Sequence, residues 1–129
     1  MISGSCLCGQ IKYSITGSVS EIVHCHCKTC RKAHGSAFSS VAAVNDQDFI
    51  LSGSDHLKSF ESSPGKERFF CSNCGTQIYA KRADTGHIIL RLGSLDDDPK
   101  VDEKSHIWVS QKAPWYSITG ELPQCQAFE

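Results

Sequence analysis

Three groups of closely spaced cysteines are the residues in this chain best equipped for chemistry. Residues 6–9 read "CLCG", residues 24–35 read "HCHCKTCRKAHG", and residues 71–75 read "CSNCG". Of the eight cysteines, only Cys125 stands apart. A disulfide between residues two apart is strained, whereas both thiolates of such a pair can reach one ion. In a reducing compartment, clustered cysteines more often mean metal or redox chemistry than disulfides. The middle group poses the sharper question. Its three thiols are one short of a closed tetrahedral site and one too many for a single disulfide.

The outer groups echo one another. "CLCGQIKY" (6–13) and "CSNCGTQIYA" (71–80) each carry a cysteine pair, a glycine and a short strand with Ile and Tyr. That is the plan of a zinc knuckle, in which glycine permits the tight turn that aims both sulfurs at one ion. Cys6, Cys8, Cys71 and Cys74 therefore supply the four thiolates of a closed structural zinc site. Cys25, Cys27 and Cys30 remain as an incomplete set, and zinc with three protein ligands keeps a fourth position for water or substrate. In an extended stretch Cys25 and Cys27 point to the same face, and Cys30 can turn back if a helical turn begins near Lys28. The expectation is a second, catalytic zinc. Lys28, Arg31, Lys32 and His34 crowd this loop, and positive charge favours thiolates. Lys28, Arg31 and Lys32 are also candidates to hold the carboxylates of a small thiol whose sulfur takes the open position. Two other readings stand beside this one: a redox-active thiol cluster without permanent metal, and a second structural zinc closed by His24, His26 or His34.

The elements that must position these groups are short strands. Residues 10–15 ("QIKYSI") alternate polar and apolar and stop at Gly17, as a half-buried strand should. Further strand signals lie at 37–44, 48–53, 57–62, 66–70, 77–81 and 87–95, separated by turn clusters such as "NDQD", "SSPG" and "ADTG". No long segment has a 3.6-residue period. The pattern predicts one antiparallel all-β domain over residues 1–129, with a helical turn at 28–34 ended by Gly35 and another near 111–116.

The order "GSCLCGQIKY … CHCKTCRKAHGSAF … FFCSNCGTQIY … HIWV … APW" resembles the glutathione-dependent formaldehyde-activating enzymes and the related centromere protein V domain. The resemblance runs from about residue 3 to residue 117. It implies a zinc-stabilised antiparallel β-tent fold of several short sheets with minimal helix. It also implies carbon–sulfur lyase chemistry on a thiol adduct such as S-hydroxymethylglutathione. By that resemblance Cys6, Cys8, Cys71 and Cys74 match structural zinc ligands, and Cys25, Cys27 and Cys30 match a catalytic zinc. The partition is the one that spacing alone suggests. A non-enzymatic zinc module for protein or chromatin contacts is the reading from another class.

Composition narrows the partners. Forty per cent hydrophobic and 21% charged residues are ordinary for a globular chain, which argues against disorder. A formal net charge of −1 gives no long-range field to attract nucleic acid or an anionic membrane, although the basic patch at 28–34 leaves a local contact open. No apolar run approaches the roughly 20 residues that span a bilayer. The start "MISGSCLCGQ" has neither a basic nor an apolar leader segment, so the cytoplasm is the expectation. Oligomeric state leaves no mark on the sequence.

Several further residues invite a role. His26 sits between two presumptive ligands and points opposite them if the segment is extended, which makes it a supporting or exposed residue. His24 reads as packing or solvent-exposed. His34 reads as a substrate contact or a solvated loop cation. Phe38 reads as core first and pocket wall second. Arg91 is the one charge inside "IILRLGSL" (88–95), so it pairs with a buried carboxylate or faces a pocket. "DDDPK" (96–100) reads as a solvated loop. Trp115 reads as a terminal anchor or a pocket lid, and Cys125 as a free thiol.

Overall fold

Short alternating segments become two sheets in the computed structural model, which describes residues 1–128. The strands are β1 (Ile2–Ser5), β2 (Lys12–Ile15), β3 (Ile22–Cys25), β4 (Ser39–Asn45), β5 (Phe49–Ser52), β6 (Leu57–Ser63), β7 (Lys66–Cys71), β8 (Gln77–Arg82), β9 (His87–Arg91) and β10 (Glu103–Ile107). Helix α1 (Lys28–His34) lies between β3 and β4. A three-stranded sheet runs in the order β1-β2-β5, and a seven-stranded sheet in the order β10-β3-β4-β9-β8-β7-β6. The all-β, antiparallel expectation holds with one exception. β10 pairs parallel to β3, because the chain crosses back from β9 through 92–102 before joining that edge.

The core forms where the alternating faces meet. Tyr13 and Ile15 of β2 and Ile88 and Leu90 of β9 pack with Ile11, Val44 and Ile78, and with Cys6 and Cys71. Ile11, Ile78 and Leu90 have no exposed surface, and burying each such side chain stabilises the fold by about 2 kcal/mol.

Register gives the large sheet its second face. Val41 lies opposite Arg91, Ala43 opposite Ile89, Val23 opposite Val41, and Cys25 opposite Ser39. Ser105 and Ile107 continue the row on β10. Strand period two sends Ile88 and Leu90 into the core and their neighbours Ile89 and Arg91 to the far side.

Three strands lie outside the sequence expectation. β1 is Ser- and Gly-rich, β3 ends in the cysteine loop, and β10 is charged at its start. Each is held by pairing rather than by its own pattern. The expected helical turn at 111–116 is a 3-10 turn at Val109–Gln111 instead. The strand expected over 87–95 stops at Arg91 and gives way to a 3-10 turn at Leu92–Ser94. "DDDPK" is not merely solvated. Asp96 accepts from the Ser5 hydroxyl at 2.9 Å, and Asp97 accepts from the Ser3 amide at 2.8 Å, tying the loop to β1.

Candidate metal centres and thiol cavity

The two knuckles are built alike. Gly9 and Gly75 both have φ +80°, a left-handed conformation that glycine adopts without strain. Gly9 N–H donates to Cys6 O at 3.1 Å, and Gly75 N–H to Cys71 O at 2.8 Å, closing each turn. The Leu7 amide donates to Thr76 Oγ1 at 3.0 Å, bracing one knuckle against the other. As a result the Sγ atoms of Cys6, Cys8, Cys71 and Cys74 all lie within 4.8 Å of one another. Cys6 and Cys8 are 3.6 Å apart, and Cys8 and Cys71 are 3.8 Å apart. A tetrahedron with metal–sulfur bonds of about 2.3 Å has edges of about 3.8 Å, so the four thiols fit one zinc ion. Hydrogen bonds with Thr76 draw the Cys74 thiol down to about 5, which favours the ionised form a ligand needs.

The second group forms where β3 meets α1. Cys25 ends β3, Cys27 caps the helix with its sulfur 3.3 Å from the Cys30 amide, and Cys30 lies one turn in. Gly35 ends the helix at φ +58°, where the sequence placed it. All three sulfurs lie within 4.8 Å of one another. The Cys30 thiol is pushed strongly down by hydrogen bonds from Cys25 and Cys27, aided by Ser39 and the Arg91 charge. Cys25 is pushed up, first by its hydrogen bonds with Cys27 and Cys30. Ser39 and the Arg91 charge thus favour a thiolate within the cluster.

The cations facing that charge are not those expected from the loop. Both Nη atoms of Arg68 stand 3.8 Å from Cys30 Sγ. Arg91 is 4% exposed, and its Nε and Nη2 are buried without a hydrogen-bond partner. Lys66 lies beside them and is half-buried. Among the described residues no carboxylate forms an ion pair with Lys66, Arg68 or Arg91. Buried cations without acidic partners suit an anionic cluster of thiolates, so the residues present fit a metal held by three sulfurs. Of the two alternatives for Arg91, the pocket is the one observed.

Lys28, Arg31 and Lys32 turn away. They border a separate cleft with Trp115, and the Arg31 guanidinium donates to Gln111 O at 2.8 Å. The reason is helical period: when Cys30 faces inward, so does position 34, whereas 28, 31 and 32 fall elsewhere on the wheel. His34 is accordingly half-buried, with Nε2 unpartnered. Trp115 is 68% exposed and does not border the thiol cavity. Cys125 belongs to neither thiol group.

The histidines lie on the opposite face of β3 from Cys25. His26 is fully buried and its Nε2 lies 2.8 Å from His106 Nδ1. His24 spans Ser40 Oγ at 2.9 Å and Glu103 Oε2 at 2.5 Å. Phe38 packs on the rings of His24, His26 and Tyr116. None of His24, His26 and His34 joins the cysteine group.

In front of Cys25, Cys27 and Cys30 opens a cavity of about 260 Å³. Its floor is the far face of the large sheet, with Val23, Val41, Ile89 and Ile107, and its rim carries Trp108 and Phe128. Lys66, Arg68 and Trp108 went unrecognised in the sequence. Lys66 and Arg68 are two apart on one strand, so period two puts them on one side, but only sheet register shows that the side faces Cys30.

Fold and site together define an all-β protein with two converging cysteine groups able to hold metal ions, one of them opening on a cavity. The chain belongs to the glutathione-dependent formaldehyde-activating enzyme family, whose model matches residues 1–111. A Schizosaccharomyces pombe protein described as an uncharacterized lyase is 34% identical over 76 residues, covering 59% of this chain and 54% of its own length. A putative glutathione-dependent formaldehyde-activating enzyme of Podospora anserina is 30% identical over 79 residues, covering 59% of this chain and 37% of that protein. The matches thus span about half or less of these relatives' lengths. A crystal structure of a Rhodobacter sphaeroides protein superposes with a TM-score of 0.63 at 18% identity, covering 74% of this chain and 89% of that one. At that identity the likeness speaks for the fold.

Proposed function

We propose that this chain is a lyase that makes and breaks the carbon–sulfur bond between a small anionic thiol and an aldehyde. Glutathione is the first candidate thiol, since the family is described by it. The observation that carries the reading is the convergence of Cys25, Cys27 and Cys30 on a cavity that also presents Lys66 and Arg91. In the forward direction the thiol sulfur bonds to the carbonyl carbon, and the thiol proton ends on the carbonyl oxygen. The reverse step returns the bonding pair to sulfur and reforms the carbonyl. No electron is gained or lost.

In this reading Cys6, Cys8, Cys71 and Cys74 hold a structural zinc, and Cys25, Cys27 and Cys30 hold a second. Zinc bound by three thiolates supplies Lewis acidity and affinity for one further soft sulfur ligand. The protein's own groups do the rest. Lys66 and Arg91 attract the thiol's carboxylates. Arg68, with both Nη atoms 3.8 Å from Cys30 Sγ, offsets negative charge on that sulfur. The sheet floor and Trp108 shield the reacting carbon from water. A small aldehyde already adds to thiols unaided, so the rate gain required is modest.

Exchange spectroscopy of glutathione with formaldehyde tests the reading. Zinc-loaded wild type should accelerate exchange, and Cys27→Ser should not. If the wild type leaves the exchange rate unchanged with a panel of thiols, the lyase reading is wrong.

A further inference from the structure

Beside its thiols and cations the cavity of about 260 Å³ presents an apolar wall that formaldehyde, with two heavy atoms, has no carbon chain to cover. The floor presents Val23, Val41, Ile89 and Ile107. Ser20 and Glu21 also line the cavity, so the amides of a peptide-like thiol have partners there, and the apolar wall is left for the carbon half of the adduct. The charged part of such a thiol is matched by Lys66 and Arg91, at the thiol end.

Trp108 adds a second, independent observation. It adopts φ +55°, ψ +38°, a conformation that bulky non-glycine residues rarely accept. Such strain persists only where the surroundings over-determine it, and it clusters at functional sites. Here the Trp108 amide donates to Ala127 O at 3.0 Å, its carbonyl accepts from the Gln111 amide at 3.0 Å, and its ring meets Phe128 edge-on at 5.2 Å. The strained residue is also one of those that line the cavity.

From the wall and the strained indole we infer that the aldehyde-derived half of the adduct is an apolar chain or ring of several carbons, and that Trp108 selects it. This rests on the lyase reading. The aldehyde carbon would bond to sulfur beside Cys25, Cys27 and Cys30 while its substituent lies along Val23, Ile89 and Ile107 under Trp108. The covalent step is the same addition of thiol to carbonyl, with a longer substituent on the carbonyl carbon.

Calorimetry of the zinc-loaded full chain with S-methylglutathione and S-hexylglutathione tests the inference, since the two probes differ only in the carbon half. Each buried methylene strengthens binding roughly fourfold, so burial of only two of the hexyl probe's five extra methylenes makes it bind more than about tenfold tighter. Trp108→Gly, which suits the left-handed backbone and so should fold, should bring the ratio below about threefold, and Trp108→Phe should restore part of it. A ratio below about threefold in wild type, absence of binding by both probes, or a ratio unchanged in Trp108→Gly would overturn the inference. Exchange assays with formaldehyde and hexanal separate the two claims. Acceleration with formaldehyde but no chain-length preference sinks the inference and leaves the lyase standing. A Trp108-dependent hexyl preference with no acceleration of either aldehyde would leave an apolar binding chamber but sink the lyase and, with it, the assignment of that chamber to an aldehyde.

Discussion

Removing the guanidinium at Arg68 should weaken metal binding at the three-cysteine group and leave the four-cysteine group alone. Its Nη atoms stand 3.8 Å from Cys30 Sγ, at which separation two unit charges interact by about 4 kcal/mol with an effective dielectric constant near 20. That figure is an upper bound, because the guanidinium shares its charge with more than one sulfur and Arg91 remains. Hydrogen bonds to charged groups contribute about 1.5–3 kcal/mol net, which corresponds to roughly 10–100-fold in affinity. The same range is typical for groups that support metal ligands. Arg68→Met preserves most of the side chain's volume, and its one other partner, the Ser62 hydroxyl at 3.0 Å, is left a half-buried acceptor within reach of water. The variant should therefore fold. Titration of the purified protein with zinc against a competing chelator resolves the two sites. The expected result is one unchanged class of site and one weakened roughly 10–100-fold. Unchanged affinity at both sites, or equal loss at both, would refute the electrostatic role given to Arg68.

The remaining predictions concern stability. If, as proposed, the four-cysteine group holds a structural zinc, Cys74→Ser should abolish cooperative folding, because such a closed site contributes directly to folding free energy, while Cys27→Ser should give a folded protein by circular dichroism; equal loss in both would make the second site structural too. Gly75→Ala forces a Cβ onto a backbone at φ +80° and should destabilise the fold by roughly 1–2 kcal/mol, read as a lower denaturation midpoint; an unchanged midpoint would contradict the knuckle geometry. Burial, with help from the His106 and His24 charges, holds the His26 imidazole down at about 4, whereas in the unfolded chain it titrates near 6.5. The unfolded state therefore binds the extra proton first, and stability from this group is complete above about pH 6.5 and declines as pH falls toward 4. Denaturant midpoints across that window, in excess zinc, should fall less steeply in His26→Gln than in wild type; parallel slopes would refute the assignment.

Local chemistry wrote several features directly into the chain. The repeated Cys-pair-plus-Gly context gave away both knuckles, since the two glycines share a left-handed φ of +80°. Gly35 as helix terminator, with α1 starting at Lys28, followed from the same conformational rules. So did the strands from β4 to β9, whose alternation is set by burial on one face. Properties of this kind depend on neighbours within a few residues, and a one-dimensional sequence records them.

What the sequence withheld depends on residues far apart in the chain. β1, β3 and β10 have weak patterns of their own and exist because neighbouring strands take up their backbone hydrogen bonds. The basic residues near the thiols, Lys28, Arg31 and Lys32, were the obvious counter-charges, yet helix rotation carries them away from the cavity. The cations that face Cys30 are Arg68, 38 positions downstream, and Arg91, brought there by the pairing of β9 with β4. Charge acts through space, so only the register of the large sheet could decide which arginine meets which sulfur. Trp108 is the clearest case. Nothing in "HIWV" marks it for a left-handed backbone, and its place over the cavity is set by hydrogen bonds and ring contacts with residues 127 and 128.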